Sequence, residues 1–139
     1  MIRKLLLLVL LGLAACSNGD GGESTPTTTT APLNLSGTMT LTDSEGVTDD
    51  GAGGCEGTGG YDDLQAGASV VVSDEANKVI GTSNLGDGSY SGTDCIFRFV
   101  VSNLPQAKFY KVEVSHRGQV TYPYNDLVAN RWSVELSIG

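Results

Sequence analysis

The residues able to do chemistry in this chain sit mainly in one acidic, glycine-rich stretch, Asp49 to Asp63. It carries Asp49, Asp50, Glu56, Asp62 and Asp63 among six glycines and Cys55. Ca²⁺ takes several oxygen ligands in a flexible arrangement, and carboxylates with glycine-freed carbonyls are such ligands. The spacing is not that of an EF-hand, so these four Asp are a candidate ligand set and also natural turn caps. A second candidate is Tyr122-Pro123-Tyr124 with Asn125 and Asp126. Exposed Tyr beside amide and carboxylate groups offers a rigid amphipathic surface for a sugar or peptide. An aromatic–Pro–aromatic triplet also favours a cis bond. The third is His116, the one histidine, with Arg117. Period two places His116 on the inward face of Tyr110, Val112 and Val114 at the strand's end, with Arg117 in solvent. A hydrolase would need a nucleophile, a base and an orienting acid together. Gly88-Ser89-Tyr90-Ser91-Gly92 puts Tyr, not Ser, at the centre of the nearest nucleophile-elbow pattern. There is no P-loop, His-Glu-x-x-His or Cys-x-x-Cys. The residues therefore imply no enzyme, no cofactor and no metal centre.

The elements that position these groups belong to a chain of 139 residues, one domain's length, with a net charge of −8. The acidic balance excludes nucleic acid, whose phosphates require Lys and Arg, and a basic membrane-surface helix. Met1-Ile2-Arg3-Lys4 is a short positive start, followed by an apolar run from Leu5 to Leu13. That run is too short to span a bilayer, which takes about 20 apolar residues. It reads as a signal peptide over 1–15. Its loss takes Arg3 and Lys4 from the eight basic residues and leaves 124 residues at a net charge of −10.

Leu13-Ala14-Ala15-Cys16 resembles the bacterial lipobox. The resemblance implies that Cys16 receives diacylglycerol and becomes the new N-terminus, so that acyl chains hold the protein on a membrane. Residues 16–32 then form a Thr/Pro-rich tether with almost nothing to bury. Ser24 to Pro32 resembles the stalks of actinobacterial lipoproteins, which implies the outer face of the plasma membrane; Ser17 would permit outer-membrane sorting in a Gram-negative envelope. With Cys16 lipidated, Cys55 and Cys95 are the remaining pair in an exported chain, and a disulfide is expected between them.

From Leu33 the pattern has period two. Leu35, Met39 and Leu41 alternate with Ser and Thr. Val-rich Ala68 to Ser73, Val79 to Leu85, Cys95 to Ser102, Tyr110 to Ser115, Gln119 to Tyr122 and Arg131 to Ile138 follow, with turn residues between them. Asn125 to Asn130 suits one helical turn, and Asp43 to Gly67 shows no strand. Phe97, Phe99, Trp132 and Leu136 are core by alternation. The expectation is an all-β, seven-stranded antiparallel β-sandwich over 33–139 with one disulfide. Gly67-Ala68-Ser69-Val70, then Phe97-Arg98-Phe99 through Leu104-Pro105, and Tyr110-Lys111-Val112-Glu113-Val114 resemble a prealbumin-like or CnaB-like sandwich, in which the last two runs form a hairpin. The stretch from Cys55 to Cys95 with Ser115 to Gly118 is similar to actinobacterial lipoproteins, a likeness that brings no activity. The functional expectation is a non-enzymatic interaction module with an envelope protein as partner. Its alternative is glycan, small-ligand or calcium binding through 49–63 or Tyr122-Pro123-Tyr124.

Overall fold

A computed structural model describes residues 31–139. The signal segment 1–15, Cys16 and the tether to residue 30 lie outside the described residues. The strands are β1 (Leu33–Leu41), β2 (Val47–Asp49), β3 (Gly54–Gly57), β4 (Ser69–Ser73), β5 (Val79–Asn84), β6 (Gly88–Tyr90), β7 (Cys95–Leu104), β8 (Phe109–Val114), β9 (Gln119–Pro123) and β10 (Ser133–Ile138). One α-helix, α1 (Tyr124–Ala129), joins β9 to β10. Among the described residues there is no helix long and apolar enough to cross a membrane.

The strands form two sheets packed as a sandwich: β10-β1-β7-β6-β3-β2 and β5-β4-β8-β9. The alternation read in the sequence sets the inner faces. Leu35, Met39 and Leu41 of β1 and Cys95, Phe97, Phe99 and Val101 of β7 meet Val70, Val72, Tyr110, Val112 and Val114 of the second sheet, all buried. Phe99 lies across Gly37, its partner in the β1–β7 register. A methyl at Gly37 would come within 2.2 Å of its ring, so the aromatic covers the bare backbone. Gly81 plays the matching part between sheets. A methyl there would come within 2.5 Å of Leu104 and 2.7 Å of Val101, so its bareness lets β5 press against β7.

Four expectations change. There are ten strands rather than seven, because Asp43 to Gly67 contributes β2 and β3 and the Gly88 turn contributes β6. These strands are three or four residues long, below what alternation can reveal. The sheets are not wholly antiparallel: β1 pairs with β10 in parallel, Thr38 opposite Glu135. A parallel pair has the same side-chain period as an antiparallel one, so sequence cannot separate them. β7 and β8 are not a hairpin. They lie in different sheets, and the chain crosses between them at Pro105 to Lys108. The Tyr110 hydroxyl fastens that corner, donating to the Pro105 carbonyl (3.0 Å) and accepting from the Ala107 amide (2.8 Å). Finally, there is no cis peptide bond among the described residues, Tyr122–Pro123 included.

Cys55 of β3 and Cys95 of β7 are joined by the expected disulfide, with β6 lying between the two strands in sheet order. Two strand spacings would separate their Cα atoms by about 9.6 Å in a flat sheet, yet they are 5.8 Å apart. The sheet therefore folds sharply about β6, and the bond passes over Gly88. A Cβ there would meet the Cys55 carbonyl at 2.1 Å, Cys95 Sγ at 2.8 Å and the Phe97 ring at 2.9 Å. Two outcomes follow. Replacing both cysteines with Ser lowers the unfolding free energy by about 4 kcal/mol, the chain-entropy value for a loop of this length. Gly88→Ala lowers it by about 3 kcal/mol with the disulfide intact, as overpacking does. The control Gly60→Ala, at an open position, stays within about 0.5 kcal/mol of wild type. Urea unfolding measures all three.

Candidate functional surface

The acidic stretch is built of turns. In the β2–β3 hairpin, Asp49 accepts from the Gly51 amide (2.9 Å). Asp50 accepts from those of Ala52 (2.7 Å) and Gly54 (2.8 Å). The backbone N–H groups of Ala52 and Gly54 hold the Asp50 carboxyl below the usual carboxylate range. Asp62 and Asp63 follow a 3₁₀ turn, Gly59–Tyr61, beyond β3. The Asp63 carboxylate faces Arg117 rather than the hairpin. Among the described residues, no three His, Cys, Asp or Glu side chains converge on one centre. The fold thus places Asp49 and Asp50 in a self-capped hairpin and Asp63 in an ion pair.

Arg117 is the residue whose role the sequence conceals. It is half-buried, not solvated. Nε donates to Asp63 Oδ2 (2.7 Å), Nη2 donates to Asp63 Oδ1 and to the Gly60 carbonyl (2.6 Å), and the guanidinium lies 5.0 Å from the Tyr61 ring centroid. Tyr61 in turn covers Gly46, where a methyl would come within 2.4 Å of its ring. Ser115 completes the clamp by donating to the Asp63 carbonyl (3.0 Å). The Arg117 guanidinium holds the Asp63 carboxyl below its ordinary value, and Asp63 raises Arg117. His116 departs from its expected inward place. Ser115 and His116 both have left-handed backbone, φ +50° and +62°, so the β8–β9 turn resets the alternation and turns His116 to solvent, beside Glu113 (3.1 Å).

The tyrosine loop divides as well. Tyr122 belongs to β9 and faces inward opposite Tyr110; burial raises its hydroxyl's pKa, as it does that of Tyr110. Tyr124 starts α1 and packs edge-on against Trp132 (5.7 Å between centroids), which packs edge-on against Tyr110 (5.2 Å). Trp132 is therefore half-buried in an aromatic stack and precedes β10 instead of lying in it. Leu136 is likewise only partly buried. Tyr122 borders a polar groove with Asn130, Ser133, Val134 and Glu135.

One surface was not singled out by sequence. Among the described residues, β9 and β10 are edge strands of opposite sheets, on the same side of the sandwich. Between them lies an apolar slot lined by Met39, Val112, Val120, Leu136 and Ile138, with Arg117 and Gly118 at one end. Val120 shares the inner face with Val112, yet is 45% exposed. The Ser133-Val134-Glu135-Leu136-Ser137-Ile138 alternation marks a strand without showing which of its edges is covered.

Comparison with protein families, with curated proteins and with solved structures finds no match for this chain.

The clamp gives a signed pH prediction. A carboxyl depressed in the folded state stabilises above its unfolded value, about 3.9, and loses that contribution as pH falls through the lower folded value. Asp63→Asn is therefore less stable than wild type at neutral pH. The gap in melting temperature should hold down to about pH 4 and close on further acidification. A gap constant to pH 2 would disprove the clamp. Calcium added in place of chelator should leave the melting temperature unchanged, since among the described residues no carboxylate set converges on one centre.

Proposed function

We propose that this chain is a lipid-anchored, extracytoplasmic interaction module of the cell envelope, acting without catalysis. The lipobox-like Leu13-Ala14-Ala15-Cys16 supports the anchor, and a prealbumin-like or CnaB-like sandwich on a Thr/Pro tether is the body it displays. The observation that carries the reading concerns how the polar groups are used. Asp49 and Asp50 cap their own hairpin, Asp63 and Arg117 hold each other, and the Tyr110 hydroxyl closes a backbone corner. These groups are engaged in the scaffold, and what faces solvent between the sheets, among the described residues, is an open strand edge beside an apolar slot.

A second reading, binding of a glycan or other small polar ligand, is favoured by the groove at Tyr122, where a tyrosine meets Asn130, Ser133 and Glu135. Cross-linking the full chain in cells, followed by mass spectrometry, separates the two. The module reading expects one stoichiometric envelope protein. Absence of any protein partner, together with glycan binding lost in Tyr122→Ala, would favour the second reading. Cys16→Ala should release the protein from the membrane fraction to the medium; retention in the membrane fraction would refute the anchor.

A further inference from the structure

We infer that the β10 edge is a strand-acceptor site for an extended, net-basic segment of a partner polypeptide, whose alternate apolar side chains enter the slot between β9 and β10. The inference rests on the module reading and specifies its contact face. The hydrogen-bond pattern supplies the first part. Ser36 donates to the Trp132 carbonyl and Thr42 to that of Ile138, both at about the ideal length, 2.9 and 2.8 Å. With the parallel register Ser36–Ser133 through Leu41–Ile138, these bonds turn the amides and carbonyls of Val134 and Leu136 toward β1. Those of Glu135 and Ser137 point the other way, out of the sheet edge. Natural edges are guarded by Pro, charged side chains (above all Lys), a bulge or brevity. β9 ends in Pro123, the β4–β5 pairing is bulged at Val72/Ser73, and β2 is three residues long. β10 has six residues and an unbroken register, with no Pro, Lys or bulge and Glu135 as its one charge.

The second part is the slot. A strand added beside β10 would lie about 4.8 Å outward, over the gap between the sheets. Every second side chain would point at Val120, Leu136 and Ile138, which face the interior but remain partly exposed. α1 links the end of β9 to the start of β10 and closes that end of the slot, so entry is from the Gly118 and Ile138 end.

Charge selects the occupant. Residues 33–139 hold fourteen Asp and Glu against six Lys and Arg, and one of those six, Arg117, is paired with Asp63. Two copies of this chain repel, whereas a basic segment is drawn in. On the proposed cleavage before Cys16, the chain's own residues 17–32 offer Ala31 as their one aliphatic side chain. Backbone pairing supplies affinity in such augmentation, and alternate pockets supply selectivity.

The test uses the full lipidated chain, ¹⁵N-labelled in detergent micelles, titrated with an alternating valine–lysine octapeptide and with its valine–glutamate analogue. The lysine peptide should shift the Glu135 and Ser137 amides and those of Val120 and Ile138, and bind at least tenfold tighter than the glutamate analogue. Ser137→Pro removes one outward amide at an edge position that tolerates proline and should weaken binding at least tenfold. Val120→Asp puts a charge in the slot at an exposed position and should do the same if Ser137→Pro fails to fold. Shifts confined to β2, β5 or β9, no shift at all, or unchanged affinity in a folded variant would overturn the site. So would a concentration-dependent dimer whose Glu135 and Ser137 amides are already shifted without peptide. A captured envelope partner cross-linked away from β9 and β10 would leave the module reading standing and remove this site. Failure of the Cys16 anchor would leave the peptide result unaffected.

Discussion

The Cys55–Cys95 bond is the constraint on which the far half of the larger sheet depends. β6, β3 and β2 have three, four and three residues, and each is bordered by glycine or aspartate. Strands this short offer few ladder bonds and little apolar area to offset the entropy of ordering so much glycine. Tying β3 to β7, a ten-residue strand at the centre of the core, gives them a fixed template. The bond in turn dictates Gly88, because a side chain there would occupy the space of the Cys95 sulfur. Downstream, Gly57 lies so close to the Tyr61 and Leu64 carbonyls that a methyl would meet the first at 2.0 Å. Leu64 is fully buried, and Arg117 then grips Asp63. Glycine density in this stretch is therefore a packing requirement at Gly57 and Gly88, not a sign of loose chain.

What sequence made legible follows from the range of the interactions involved. β1, β7, β8 and β10 announce themselves through alternation because their own side chains divide between core and solvent. The Cys pairing was legible because, on the expectation that Cys16 is lipidated, one pairing remains, and Cys55–Cys95 is the bond found. β2 and β3 were hidden because their partners, not their own side chains, make them strands. Arg117 was hidden because its partner is 54 residues away and its neighbours Ser115, His116 and Gly118 look like an ordinary polar turn. The four aspartates, adjacent in pairs, suggested one ligand set; only the fold shows that a 3₁₀ turn sends Asp63 away from Asp49 and Asp50. Nothing in the alternation of β10 distinguishes a covered edge from an open one.

Several non-glycine residues carry left-handed backbone, and their placement shows where tertiary contacts override local preference. Asn77 and Asn103 suit that region. Arg131 and Trp132 do not, at φ +55° and +59°, a conformation costing roughly 1–2 kcal/mol per residue. They terminate α1: the Arg131 amide donates to Val128 and the Trp132 amide to Leu127 (2.7 Å), the bonding of a Schellman cap. The return is positional. The cap swings Trp132 between Tyr110 and Tyr124 and delivers the chain into β10 in register with β1. The corner held by the Tyr110 hydroxyl, the helix end and the start of the parallel strand are thus one aromatic assembly.

β1 and β10 run in parallel, so both begin at the α1 end, with Ser36 beside Trp132 and Ser133. The slot opens at the other end, at Gly118 and Ile138. The clamp of Arg117 on Asp63 sits at this open end, bracing the β8–β9 turn where an incoming strand would first arrive. A free edge is a hazard for a protein diffusing in bulk, since copies meet edge to edge. Here a net charge of −8 opposes such encounters between copies without blocking a basic partner. An open edge is consistent with a binding module under that electrostatic guard, and it explains why β10 needs no proline or lysine of its own.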